Sequence, residues 1–177
     1  MERVDAYFLD CGLSYDGVPT TSITGLSHLI GEQVDILADG VVIEDQTVPD
    51  NGTITLATAA SKYSVGKMYR SELQPMKPVF STAMGTTAAS IVGCHNMGVS
   101  LHNSDGVQYG TDTGDLYEIN IDEKGLENKS EKDDLFTGVV DVSVDGGYDL
   151  DNNIRIVSEA PLPCVVRALI PDVILTG

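Results

Sequence analysis

The 177-residue chain has no tryptophan, three phenylalanines and seven tyrosines. With so few aromatics, its core must be filled by Val, Ile, Leu and Ala, and a 42% hydrophobic content is enough for that. Basic residues are also scarce: ten Lys and Arg stand against 27 Asp and Glu, a formal net charge of −17. A surface of that sign repels phosphate backbones and excludes tight nucleic-acid binding. It stays compatible with a passage through which nucleic acid slides without sticking. The three cysteines, Cys11, Cys94 and Cys164, are odd in number and lack paired spacing, so they make no disulfide framework and fit a reducing compartment. No apolar run approaches the roughly 20 residues needed to span a bilayer. The start, Met1-Glu2-Arg3-Val4-Asp5, lacks the apolar region of a signal peptide.

Signatures of chemistry are missing in the same way. There is no Gly-x-Ser-x-Gly for nucleophilic catalysis and no glycine-rich phosphate loop. The histidines His28, His95 and His102 have no Cys-x-x-Cys or His-x-x-x-His context for zinc, and neighbours such as Cys94 and His95 point to opposite faces of a strand. The oxygen-rich stretch Asp145 to Asn153 lacks EF-hand spacing and reads as a long hairpin turn whose Asx side chains bond their own backbone. The expectation is therefore a protein with no catalytic residue, no cofactor-binding residue and no metal ligand.

What the chain does have is period-two alternation cut by Gly, Asp and Asn. In Val140-Asp141-Val142-Ser143-Val144 every second residue is apolar, so one face is buried and the other wet. Asp39-Gly40 between Val34–Ala38 and Val41–Ile43 is a two-residue hairpin signal, with Val34, Ile36 and Ala38 on one face. Asp50-Asn51-Gly52 turns into a strand with Ile54 and Leu56 inward. Tyr7–Leu9 reads as a short strand, Asp10–Gly17 as a turn-rich link, and Leu26–Gly31 as a loop or short helical turn. Strand candidates further on are 91–101, 116–121, 136–144, 154–157 and 164–170. The fold class is all-β: one or two small barrel or sandwich subdomains with little helix. Pro75-Met76-Lys77-Pro78 divides a barrel-like module, 1–75, from a sandwich-like module, 76–177. The second module holds a charged, exposed and mobile loop at 122–134. Net charge is −6 over 1–98 and −11 over 99–177. The acidic half is thus expected to face a lumen or the outside, with Leu26–Ile30 as the better contact surface between subunits.

Several segments resemble a module of bacteriophage and prophage tail structural proteins of the tail nozzle or tail tubular kind. They are Tyr7 to Gly17, Gly25 to Val34, Leu37-Ala38-Asp39-Gly40, Val65 to Leu73, Leu135-Phe136-Thr137-Gly138, Gly146-Gly147-Tyr148-Asp149 and Pro161 to Val166. The resemblance covers both ends of the chain and misses roughly 77–115. In that family the pattern continues from a long upstream region, whereas here it begins just after Met1, as in an excised domain or a small stand-alone virion protein. The first block also resembles, more loosely, a small β-barrel inserted in ubiquitin-activating enzymes, which implies a fold and no activity. The tail resemblance implies a non-enzymatic virion structural module, part of a homo-oligomeric ring or tube. Its partners would be further copies and other virion tail proteins, with no tight nucleic-acid binding and no membrane span. Its location would be the virion, after assembly in the bacterial host cytoplasm. The alternative is a carbohydrate or host-surface binding β module, in which Tyr15, Tyr63, Tyr69, Tyr109, Tyr117 and Tyr148 offer rings to stack on sugars.

Overall fold

In a computed structural model of the chain, strand dominates and every strand pairing is antiparallel. Among the described residues helix comes only as single 3₁₀ turns such as Arg3–Asp5 and Ser27–Leu29. The all-β expectation holds. The residues described are 2–77, 79, 81–82, 85–87, 91–111, 114–119, 135–144, 148–149 and 154–176. The loop at 122–134 and most of the Asp145 to Asn153 turn lie outside them. Two compact units result: Met1–Arg70 with Glu159–Pro163 belongs to the first, and the second begins at Ser71 and includes Phe136–Ser158 and Cys164–Gly177.

The first unit is built on one sheet. Its strands are β1 (Asp10–Ile23), β2 (Gln33–Ala38), β3 (Val41–Thr47) and β4 (Ile54–Lys67), in the order β1-β4-β2-β3. Asp39 and Gly40 turn β2 into β3 with φ of 44° and 81°, the left-handed pair that a type I′ hairpin requires. The Asp39 carboxylate also accepts hydrogen bonds from the backbone N–H of Ser61 at 3.0 Å and Lys62 at 2.8 Å, tying that turn to β4. Val34, Ile36 and Ala38 share one face and pack with Ile23, Ile54, Leu56 and Val65. The opposite face is covered too: Leu37 meets Ala6 and Leu162, with Phe8, Val42 and Ala160 beside them. With both faces covered, every β2 residue except Gln33 is buried, Asp35 included.

Two expectations fail here. Asp10–Gly17 is not a link but the first half of a 14-residue strand, while Tyr7–Leu9 lies outside any strand. The register of β1 against β4 shifts between Asp10 and Leu13 and again between Asp16 and Thr20, so bulges absorb the residues that broke the alternation. Leu26 and Leu29 are not a contact surface. They are 0% and 4% exposed and sit in the core beside Ile23 and Val34.

The second unit is a sandwich. One sheet runs β10 (Leu116–Glu118), β9 (Val107–Thr111), β13 (Ile154–Ser158), β5 (Ser71–Leu73). The other is centred on β8 (Ile91–Ser104), which pairs with β11 (Phe136–Ser143) and β12 (Tyr148–Asp149) on one side and with β14 (Val166–Thr176) on the other. A separate two-residue ladder joins β6 (Ser81–Thr82) and β7 (Gly85–Thr86). Met97, Val99 and Leu101 of β8, Val140 and Val142 of β11, Val107 of β9 and Ile154 and Ile156 of β13 form the shared core. The alternation read over 140–144 is realised: 140, 142 and 144 are buried, 141 and 143 exposed. Cys94 and Met97 both face inward although three residues apart, because the β8–β14 register shifts opposite His95.

Candidate functional site

The residues weighed at the sequence level do not converge. Cys94 is buried while its neighbour His95 is exposed. The Cys94 thiol donates to the Asn96 carbonyl at 3.2 Å, and burial pushes it up from the ordinary thiol range, so it stays protonated and unreactive. Cys164 packs against the same core, its thiol pushed up by burial as well. His28 Nε2 lies 2.8 Å from the Cys11 carbonyl, and His102 Nδ1 lies 3.4 Å from Thr137 Oγ1. Among the described residues no three His, Cys, Asp or Glu side chains are grouped as metal ligands.

The tyrosines separate into two kinds. Tyr15 and Tyr63 pair across β1 and β4 with ring centroids 5.0 Å apart and planes 17° from parallel. They close the edge of the first core, as ring stacking between neighbouring strands does. Tyr109 and Tyr117 also pair across strands, β9 to β10, but at 6.0 Å and tilted by 40°. Tyr109 packs on the core, whereas Tyr117 is 51% exposed. The two rings, with Gly110, Thr111, Gly114, Asp115 and Val144, line a recess of about 210 Å³. Burial, and then the neighbouring Tyr117 hydroxyl, push the Tyr109 phenol up, so it is a neutral hydrogen-bonding group across the physiological range.

Local chemistry fixes this recess. Gly110 lies opposite Leu116, and a Cβ on it would meet the Asp115 carbonyl oxygen at 2.5 Å. A Cβ on Gly114 would meet Thr111 Oγ1 at 2.4 Å. Glycine at these two positions lets Asp115 and Thr111 pack closely against them. Arg155 Nη2 donates to the Gly114 carbonyl at 3.2 Å, and Arg155 Nη1 lies 3.8 Å from Glu72 Oε1. The guanidinium thus ties Gly114 to β13.

Two apolar features accompany it in the second unit. Pro75, Met76, Cys94, Met97, Ile154, Leu169, Pro171 and Val173 line a recess of about 160 Å³. On the outer face of the β8 sheet, Val139 lies opposite Ser100, which lies opposite Ala168, and Ile170 lies opposite Gly98. Val139, Ile170 and Ile174 there are 51%, 56% and 41% exposed. The outer edge of β14 carries no partner strand among the described residues.

No protein-family model matches the chain, and no curated protein is similar to it.

Proposed function

We propose that the chain is a non-enzymatic structural module of a phage tail that works as part of a homo-oligomeric ring or tube. The observation that carries the assembly half of this reading is the outer face of the β8 sheet, where Val139, Ile170 and Ile174 stand exposed beside the open edge of β14. Copies that each carry −17 repel one another, so association needs an apolar contact to offset that repulsion. Exposed apolar groups supply one, with Asp141 and Asp172 exposed among them on the same face. A strand edge with free N–H and C=O groups adds a directional contact. Pro171, in the middle of β14, removes one backbone donor and limits uncontrolled stacking along that edge. A head-to-tail contact of this kind closes into a ring when its rotation closes. The tail assignment itself rests on the resemblance of the segments named above.

The test is the assembly state of the full chain. Light scattering behind size exclusion should give a discrete oligomer, seen as a ring or tube in negative stain. Ile170→Glu with Ile174→Glu should return it to a monomer with an unchanged melting temperature. A wild-type chain that remains monomeric at about 100 μM, well above the Kd of a stable assembly, would overturn the reading.

A further inference from the structure

The Tyr109–Tyr117 recess joins two kinds of surface that rarely meet in so small a space. One wall is aromatic. The rest of the lining includes Asp115 and Thr111, with Gly110 and Gly114. We propose that this recess binds one ring of a neutral saccharide, a role independent of assembly because the site lies within one protomer.

The chemistry narrows the ligand. A purely apolar ligand would desolvate Asp115 without offering it a donor, which is costly. A sugar phosphate or uronate would bring an anion beside Asp115 on a chain of net charge −17. A quaternary ammonium caged between the rings is excluded by distance, since centroids 6.0 Å apart leave the rings in contact with each other. A pyranose fits all three conditions. Its C–H face is apolar and edge-positive, and it lies against the negative face of a phenol ring. Its hydroxyls donate to a carboxylate through charge-assisted hydrogen bonds. The volume, about 210 Å³, equals roughly seven waters at about 30 Å³ each, enough for one six-membered ring.

The recess is also preorganised. Close packing at Gly110 and the hydrogen bond from Arg155 to the Gly114 carbonyl hold these two lining residues before any ligand arrives. Little ordering is left to oppose binding. One ring of about twelve heavy atoms should still bind only at about millimolar affinity. Useful retention would then come from many copies presenting the site at once.

The experiment is a titration of the isotope-labelled full chain, followed by amide shifts. The panel is neutral gluco-, galacto- and N-acetylglucosamine oligosaccharides, with glucuronate, glucose phosphate and tetramethylammonium as comparisons. A neutral saccharide should move resonances of residues 109–111 and 114–117. Tyr117→Ala should weaken that binding at least about tenfold, and Asp115→Asn several-fold, with melting temperature unchanged. The Ile170→Glu, Ile174→Glu monomer should bind one ring as well as wild type, which separates this inference from the assembly reading. Silence at 109–117 toward every neutral sugar at about 50 mM would overturn it, as would binding that Tyr117→Ala leaves intact, or a response to tetramethylammonium or anions alone.

Discussion

The Asp35 carboxylate accepts a hydrogen bond from the Asp45 backbone N–H at 3.0 Å, and Asp45 stands at φ 56°, in the left-handed region. Asp35 is only 7% exposed. The β2–β3 register shifts between Val34 and Ile36, so Glu44 and Asp45 bulge out and a buried carboxylate holds the bulge.

That arrangement makes Asp35 a cost at neutral pH. Burial raises its pKa, the Asp45 N–H opposes the rise, and the Asp45 charge adds to it. A pKa higher in the fold than in the unfolded chain means that folding favours the neutral acid. The contribution is fully present below the ordinary value of about 3.9 and is lost as pH rises through the raised folded value. Asparagine keeps the acceptor and drops the charge. Asp35→Asn should therefore stabilise the protein by up to about 1 kcal/mol at pH 7, with the gain shrinking toward about pH 4. Asp35→Ala should instead cost about 1–3 kcal/mol, because it strands the Asp45 N–H. Denaturant melts of the three proteins at pH 4 and pH 7 check both signs. Equal destabilisation by Asn and Ala would show that the negative charge itself holds the bulge.

Glu32 has the opposite sign. Lys67 Nζ lies 2.7 Å from Glu32 Oε2, and that hydrogen bond, with the ammonium charge, holds the carboxyl below its ordinary range. Its contribution is present above the ordinary carboxylate pKa and is lost as pH falls through the lowered value. Both side chains are about half exposed, so salt screens the pair. Glu32→Gln should lower the melting temperature slightly at low ionic strength and not at all near 1 M salt. A shift that survives high salt would mean that Glu32 acts through something other than this pair.

Leu26 and Leu29 fill the core of the first unit, so a charge there tests folding and not association. Leu26→Asp should cost more than about 3 kcal/mol, from lost burial and an unpaired buried carboxylate. Ile30, 42% exposed, should tolerate Ile30→Glu within about 0.5 kcal/mol. Chemical denaturation of the two variants decides it. A well-folded Leu26→Asp protein would place this turn outside the core after all.

The strands that were legible in the sequence are those whose neighbours obey a strict alternation. Val140, Val142 and Val144 share one sheet face against one core, and Asp39-Gly40 has a conformation few other pairs adopt. Legibility ended where glycine serves close approach and not a turn. Gly12 reads as a breaker, yet a Cβ there would sit 2.5 Å from the Val65 carbonyl, within a strand that continues past it. Leu26 to Leu29 reads as a loop or short helical turn and forms a 3₁₀ turn, but its burial is not legible, because the cluster it joins includes Ile54, Leu56 and Val65, distant in sequence. The strand Val107–Thr111 was missed for a related reason. Its inward residues are Val107 and Tyr109, while Gln108 and Gly110 give no alternation strong enough to read. The recess depends on Tyr109 meeting Tyr117, and the hint in the sequence is a tyrosine on each side of the Gly-Thr-Asp-Thr-Gly stretch.

That connection supports a last prediction, which compares two glycines. A Cβ on Gly110 would press on a backbone carbonyl, Asp115 O, at 2.5 Å, and a backbone cannot step aside without opening the β9–β10 pairing. A Cβ on Gly114 would press on Thr111 Oγ1 at 2.4 Å, and a hydroxyl on a rotatable side chain can swing away. Gly110→Ala should therefore cost about 1–3 kcal/mol, and Gly114→Ala less than about 1 kcal/mol. Hydrogen exchange should show faster exchange along Val107–Thr111 in the first variant and little change in the second. Saccharide affinity should follow the same order, because Gly110 and Asp115 line the recess beside the β9–β10 pairing. If Gly114→Ala proves the more damaging, Thr111 is locked in place, and its hydroxyl holds the connection more firmly than the backbone contact at Gly110 does.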